Sequence, residues 1–300
     1  MLQFPTEIKK IIKDSHKETK ECFFGCQNNI IAAHSISNKR ILSRIAKDGM
    51  VEYLNSKTGR NKATTFRGFC DYHDKIFSPI DNEDYQPKNE KQEFLFAMRA
   101  LSRELIEKKR YEYNVTNIEE LRLYRNNKDH QLGIEKGLSD INEWRKIFID
   151  CFTKSKFNAI KSVVIKLEKS YLIAASGAFN LECDIDGRIV NDPSPDGFND
   201  KMKPCFLTIF PQLNETYCII SFFRKHRKDY AFLEKIENKD DQFKKVVLSN
   251  LLVGNIENIA INPDFYNKIN TTIWRKINLE SINTKHRPFI FDDSFNIFQD

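Results

Sequence analysis

No run of apolar residues approaches the roughly 20 needed to span a bilayer. The first twenty residues interleave lysines with isoleucines instead of building the apolar core of a secretory leader. Both absences lead to the expectation of a cytoplasmic protein with no membrane partner. Also missing are a glycine-rich phosphate cradle, a Gly-x-Ser-x-Gly elbow and a His-Glu-x-x-His pair. Nucleotide-hydrolysing and common hydrolase classes lose their support with them. No internal repeat or long low-complexity linker interrupts the chain.

What is present is ordinary for a globular protein. The 300 residues are enough for two domains, and 40% apolar with 30% charged residues argues against disorder. Phenylalanine, at 24 residues, dominates the aromatics, so Phe- and Ile-rich cores are expected. The formal charge is +6, and it is unevenly placed. Residues 1–81 hold 14 Lys and Arg against 9 Asp and Glu, whereas the remainder holds 34 against 33. A basic first quarter suits an anionic partner, of which nucleic acid is the commonest, or else forms a solvated surface.

Patterning divides the chain into three: residues 1–82, 83–157 and 158–300. In the first, Ile8, Ile11 and Ile12 predict a short amphipathic helix. Ser37 or Asn38 caps a helix through Leu42 and Ile45 that ends at Asp48-Gly49. Met50–Leu54 reads as a strand, Lys57-Thr58-Gly59 as a turn and Ala63–Phe69 as a second strand. The second segment is helical, opened by an Asn89/Gln92 capping box that Phe94, Met98, Leu101 and Leu105 follow at helical spacing, with a further start at Thr116–Glu119. Tyr124–Gln131 reads as a polar loop, and Ile134, Leu138, Ile141, Phe148 and Cys151 or Phe152 stripe a later helix. The third turns to β, with strands at Ser162–Leu167, Tyr171–Ser176, Cys205–Phe210 and Tyr217–Phe223. Asp186-Gly187 signals a hairpin turn. Helices follow at Asp240–Leu252 and from Asn262-Pro263. The fold class expected is α+β: an N-terminal zinc-braced module, a helical middle and a C-terminal antiparallel-sheet domain with helices.

Of the seven cysteines, Cys151, Cys183, Cys205 and Cys218 sit singly among apolar residues and read as buried thiols. Cys22-x3-Cys26 and Cys70-x2-His73 differ. A tetrahedral zinc site takes four soft or borderline ligands as two close pairs on tight turns, and Gly25 suits the first. The intervening residues hold the proposed strands, which a structural zinc ties together. In small zinc domains such binding contributes on the order of 10 kcal/mol to folding. His34 is then a fifth candidate. It can be a catalytic base, a further zinc ligand or a structural histidine.

The order Cys-x3-Cys, an apolar run, His34-Ser35-Ile36, and then Phe69-Cys70-x2-His73-Asp74 ahead of a helix resembles the HNH, or ββα-metal, endonuclease family over about residues 20–82. The resemblance implies a treble-clef zinc bracing a hairpin and helix. It makes His34 the general base that activates water. It places Asp74 at the helix position that holds a catalytic Mg or Mn ion, a role that passes to His73 if the zinc site is incomplete. A solvated acid in a first helical turn is the plain reading of Asp74. The family's acid beside the histidine is here Ala33, and a helix is inserted after it. Lys57, Arg60, Lys62 and Arg67, with no acid among them, suit a nucleic-acid backbone.

Arg224–Lys228 is a second basic run, either a phosphate-binding edge or a solvated loop. Asp184, Asp186, Asp192 and Asp196 fit no calcium-loop spacing, and turn chemistry explains Asp186. The function expected is metal-dependent phosphodiester hydrolysis of nucleic acid, DNA before RNA. A protein partner or activator and a place in bacterial anti-phage defence are expectations by analogy. The alternatives are a non-catalytic zinc-finger binding protein and a ligand-sensing C-terminal domain.

Overall fold

A computed structural model describes residues 6–18, 21–192, 194, 200–282 and 291–299. The fold is α+β, and the chain divides into two compact units that interleave along the sequence. The first comprises Met1–Ala33, Phe66–Ile76 and Leu101–Ser155; the second comprises His34–Thr65, Phe77–Ala100 and Lys156–Asp300. Among the described residues no helix is long and apolar enough to cross a membrane.

The first unit contains the helix Thr6–Glu18, the helix Lys128–Thr153 and the later part of the helix Glu90–Asn117. Strand β1 (Ile30–His34) pairs with β4 (Thr65–Cys70) in a two-stranded sheet. Asn127 caps the helix Lys128–Thr153 by accepting from the His130 amide at 3.0 Å. The polar run Tyr124–Gln131 is therefore not a loop throughout. It ends one helical turn, Arg122–Arg125, and begins the long helix, whose polar residues face outward there. The predicted start at Thr116–Glu119 is instead the end of a helix followed by a 3-10 turn. The helix Lys128–Thr153 buries Ile141, Trp144, Phe148 and Cys151, all but Trp144 on the predicted stripe.

The second unit is organised by a seven-stranded antiparallel sheet in the order β3-β2-β9-β6-β7-β8-β5. Its strands are β2 (Met50–Tyr53), β3 (Ser56–Gly59), β5 (Ile160–Leu167), β6 (Ile173–Phe179), β7 (Cys205–Gln212), β8 (Glu215–Phe223) and β9 (Ile259–Ile261). The short β2–β3 hairpin thus belongs to the same sheet as strands more than a hundred residues later, through Glu52↔Ile261 and Tyr53↔Ala260. Strand alternation puts Val163, Ile165 and Leu167 of β5 on one face with Leu207, Ile209, Ile220 and Phe222. Val247, Leu248, Leu251 and Leu252 of the helix Asp241–Asn255 pack into the same cluster. On the other face Phe210 stacks on Phe96 and meets the edge of Tyr85, so β7 is buried along its whole length.

Several local expectations are corrected. The hairpin turn falls at Leu54-Asn55, both left-handed at φ 48° and 59°, while Lys57-Thr58-Gly59 lies within β3. Paired positive φ values match the right-handed twist of the flanking strands. Ser37 caps its helix through the Arg40 amide, but the helix starts as a π turn and stops at Ile45. Asp48 and Gly49, at φ 52° and 74°, form a separate turn closed by Lys47↔Met50. Asn89 accepts from the Gln92 amide as a capping residue, but the Gln92 side chain does not return the bond. It binds Gln86, Pro79 and Asp84 backbone groups instead.

Candidate functional site

Cys22, Cys26, Cys70 and His73 come together in the first unit, with their donor atoms all within 4.8 Å of one another. His73 Nδ1 lies 3.4 Å from Cys22 Sγ, 3.4 Å from Cys26 Sγ and 3.3 Å from Cys70 Sγ. Cys70 Sγ is 4.0 Å from Cys22 Sγ and 3.6 Å from Cys26 Sγ. Three sulfurs and an imidazole nitrogen at such separations could hold one metal ion.

Local structure explains the approach. Gly25 adopts φ 75°, which lets its amide bond the Cys22 carbonyl at 2.7 Å and turns Cys26 back toward Cys22. The amide of Phe23 bonds the Gly68 carbonyl at 2.8 Å, tying this knuckle to β4. From β4 the chain runs directly into the one-turn helix Asp71–Asp74, which carries His73. The Phe24 ring stacks on the His73 ring at 4.3 Å between centroids and holds its plane.

The electrostatics fit cation binding. Burial lowers the His73 pKa, favouring the neutral imidazole that ligates a metal. Burial opposes ionisation of Cys70, but the His73 amide, Cys26, Asn28 and Cys22 outweigh it and bring its thiol below the ordinary value. Burial raises the Cys22 thiol to about 11, and the neighbouring Cys26 and Cys70 add to the rise. An ion at the centre reverses that balance, since coordination deprotonates a thiol.

Arg145, on the helix Lys128–Thr153, was not marked by any sequence pattern. Its guanidinium donates to the carbonyls of Phe23 and Cys22 and pairs with Glu21 at 2.7 Å.

His34 is the last residue of β1 and lies outside the Cys/His quartet. In the second unit its Nδ1 is 3.4 Å from Thr64 Oγ1, and an Ala63 backbone group also bonds the ring. Burial lowers its pKa from the usual 6.5; the Ala63 backbone bond and Asp81 oppose the fall, while Arg99 and Arg60 add to it. Arg99 is almost wholly buried, lies 4.3 Å over the Phe77 ring, and grips Asp81 through both terminal nitrogens at 2.8 and 2.5 Å. Its buried Nε has no hydrogen-bond partner among the described residues. Sequence reading passed over Arg99 because it lies inside the apolar stripe Phe94, Met98, Leu101, Leu105, where a lone cation carries no motif.

Asp74 closes the one-turn helix after His73 and is half-buried. Lys57 and Lys62 are exposed in the second unit, and there Arg60 is spent on the Asn38 carbonyl and side chain at 3.1 and 3.0 Å. Arg67, exposed in the first unit, donates to the Ile30 carbonyl. Arg224 opens a 3-10 turn and donates to the Asn158 carbonyl, and Arg227 pairs with Glu234. Asp184 accepts from the amides of Asp186 and Arg188, so turn chemistry accounts for it; Asp196 lies outside the described residues. Cys151, Cys183, Cys205 and Cys218 are all buried.

Compared with known proteins, the chain matches no family model, no curated protein and no solved structure.

Proposed function

We propose that the protein is a metal-dependent nuclease of the HNH kind, with a structural zinc at Cys22, Cys26, Cys70 and His73 and with His34 as general base. The observation that supports this most is the order of elements: β1 ends on His34, pairs with β4, and β4 leads into the helix bearing His73 and Asp74. That strand–strand–helix path with a cysteine knuckle folded against it is the arrangement the resemblance implies.

Zinc suits the quartet dimensionally. A tetrahedral ion bound at about 2.3 Å by sulfur and about 2.0 Å by nitrogen sets sulfurs about 3.8 Å apart, and sulfur and nitrogen about 3.5 Å apart. The separations here are 3.6 and 4.0 Å between sulfurs and 3.3–3.4 Å from sulfur to nitrogen.

In the catalytic role, His34 takes a proton from water. Its lowered pKa leaves the ring neutral, and so able to accept, at neutral pH. A Mg or Mn ion, when bound, supplies charge stabilisation at the scissile phosphate, and Asp74 is the residue the resemblance assigns to it. The exposed Lys57 and Lys62 suit contact with the nucleic-acid backbone.

One observation favours a second reading, a zinc-braced binding module without catalysis. Ala33 stands where the family carries an acid, and it is buried, so β1 offers no carboxylate beside His34. The deciding experiment incubates plasmid and single-stranded DNA with the protein and Mg²⁺ or Mn²⁺, alongside His34→Ala of unchanged zinc content. Cleavage lost in the variant supports the nuclease. Salt-dependent binding without cleavage by either protein supports the binding module.

A further inference from the structure

We infer that Thr64 is a positioning residue for His34, a strained threonine whose hydroxyl and turn set the orientation of the imidazole. This rests on the reading of His34 as a base and names what aims it.

Thr64 is 1% exposed and adopts φ 59°. β-Branched residues rarely enter this left-handed region, where glycine or asparagine sits without strain. The surroundings hold it there. The Ser35 amide and the Ser35 hydroxyl both donate to the Thr64 carbonyl at 2.9 Å. Ser35 has a single hydroxyl proton, spent on that bond, so its oxygen is left to accept from Asn258 Nδ2 at 3.0 Å. Asn258 is fully buried; it donates also to the Ser176 carbonyl at 2.8 Å and accepts from the Tyr53 hydroxyl at 3.2 Å. A satisfied polar network anchored in β6 and β2 therefore fixes the turn before β4.

That turn clasps His34. Thr64 Oγ1 stands 3.4 Å from Nδ1, and the Ala63 backbone bonds the same ring. A turn needing only a left-handed residue is better served by glycine. What glycine lacks is the hydroxyl at the imidazole. Backbone strain concentrates where a side chain must be aimed, and here the aimed group is the candidate base. With the Thr64 hydroxyl at Nδ1 and the Ala63 backbone on the ring, one orientation and one tautomer of the imidazole are favoured.

The test uses the full chain with Thr64→Val, Thr64→Ser and Thr64→Gly. Three readouts are taken: imidazole ¹⁵N shifts of His34 across pH, melting temperature, and plasmid cleavage with Mg²⁺ or Mn²⁺. Thr64→Ser should keep the wild-type His34 signals. Thr64→Val should lose the tautomer preference and slow cleavage on the order of 100-fold, the scale of a misplaced reacting group. Thr64→Gly should show the same loss with an unchanged or higher melting temperature, a separation that a merely structural threonine would not give. Unaltered His34 signals in the valine or glycine variant overturn the inference. If wild type cuts no nucleic acid but valine shifts the His34 signals, positioning stands and the nuclease reading fails. Should both variants fail to fold, Ser35→Ala removes one of the two bonds to the Thr64 carbonyl, and the same signals decide.

Discussion

Arg145 Nε donates to the carbonyl oxygen of Phe23 at 2.5 Å, clamping the cysteine knuckle from a helix more than a hundred residues away in sequence. Two bonds from a mostly buried guanidinium to carbonyls hold the backbone that presents Cys22. Arg145→Ala should cost about 1.5–3 kcal/mol in denaturant unfolding. Arg145→Lys should recover only part, because lysine lacks the fork that reaches two carbonyls. Both should still bind zinc but surrender it faster to a chelator, read by a colorimetric zinc indicator.

The quartet itself predicts about one zinc per chain by elemental analysis. Chelation, or Cys26→Ser, should lower the melting temperature sharply, since binding of this kind supplies on the order of 10 kcal/mol in small zinc domains. A zinc-free protein with unchanged melting temperature would refute the bracing role.

Gly68 and Gly133 should respond oppositely to alanine. A Cβ on Gly68 would stand 2.4 Å from Phe66 Cε2, and Phe66 is itself packed edge-on against Phe69. Gly68→Ala should therefore destabilise by about 1–3 kcal/mol through overpacking. Gly133 lies in the helix Lys128–Thr153 with nothing within 4 Å of a Cβ. Gly133→Ala should stabilise by about 0.5–1 kcal/mol. Urea midpoints of the two variants check both signs.

Histidine titration sets an acid limit. Burial lowers the pKa of His34 and His226 below 6.5. The unfolded chain then binds more protons between each folded value and 6.5, so stability is full above 6.5 and falls as pH drops through that window. Unfolding free energy measured from pH 7.5 downward should decline, and His226→Gln should flatten the slope. If His34 is the base, cleavage should hold its rate at pH 6.5 better than a histidine of ordinary pKa allows.

Much of the candidate site was legible because it depends on close spacing. Cys22-x3-Cys26 and Cys70-x2-His73 each make half a site within a few residues. Asp240 capping Phe243 and Asn262 ahead of Pro263 are equally local, and both helix starts are where the sequence put them. What was hidden depends on partners far along the chain. Nothing in Glu52 or Tyr53 announces a pairing with Ile261 and Ala260, and nothing in Asn258 announces Ser35. The hairpin turn was misplaced because Leu54 is an unusual residue for the left-handed region, whereas Thr58-Gly59 looks like one that turns. A polar outward face likewise disguised the start of the helix at Lys128.

Among the described residues, strand β3 is an outermost strand of the seven-stranded sheet, paired with β2 alone, and Lys57 is exposed on it. An outermost strand presents unpaired amides and carbonyls to any other chain, and a lysine there discourages a second copy from adding its own strand. The side chain proposed to meet phosphate is thus also a guard against self-association. Neutralising Lys57 with an apolar residue would remove both functions together, so a loss of nucleic-acid binding in such a variant has to be separated from aggregation by light scattering. Replacement by glutamate keeps the guard while reversing the attraction.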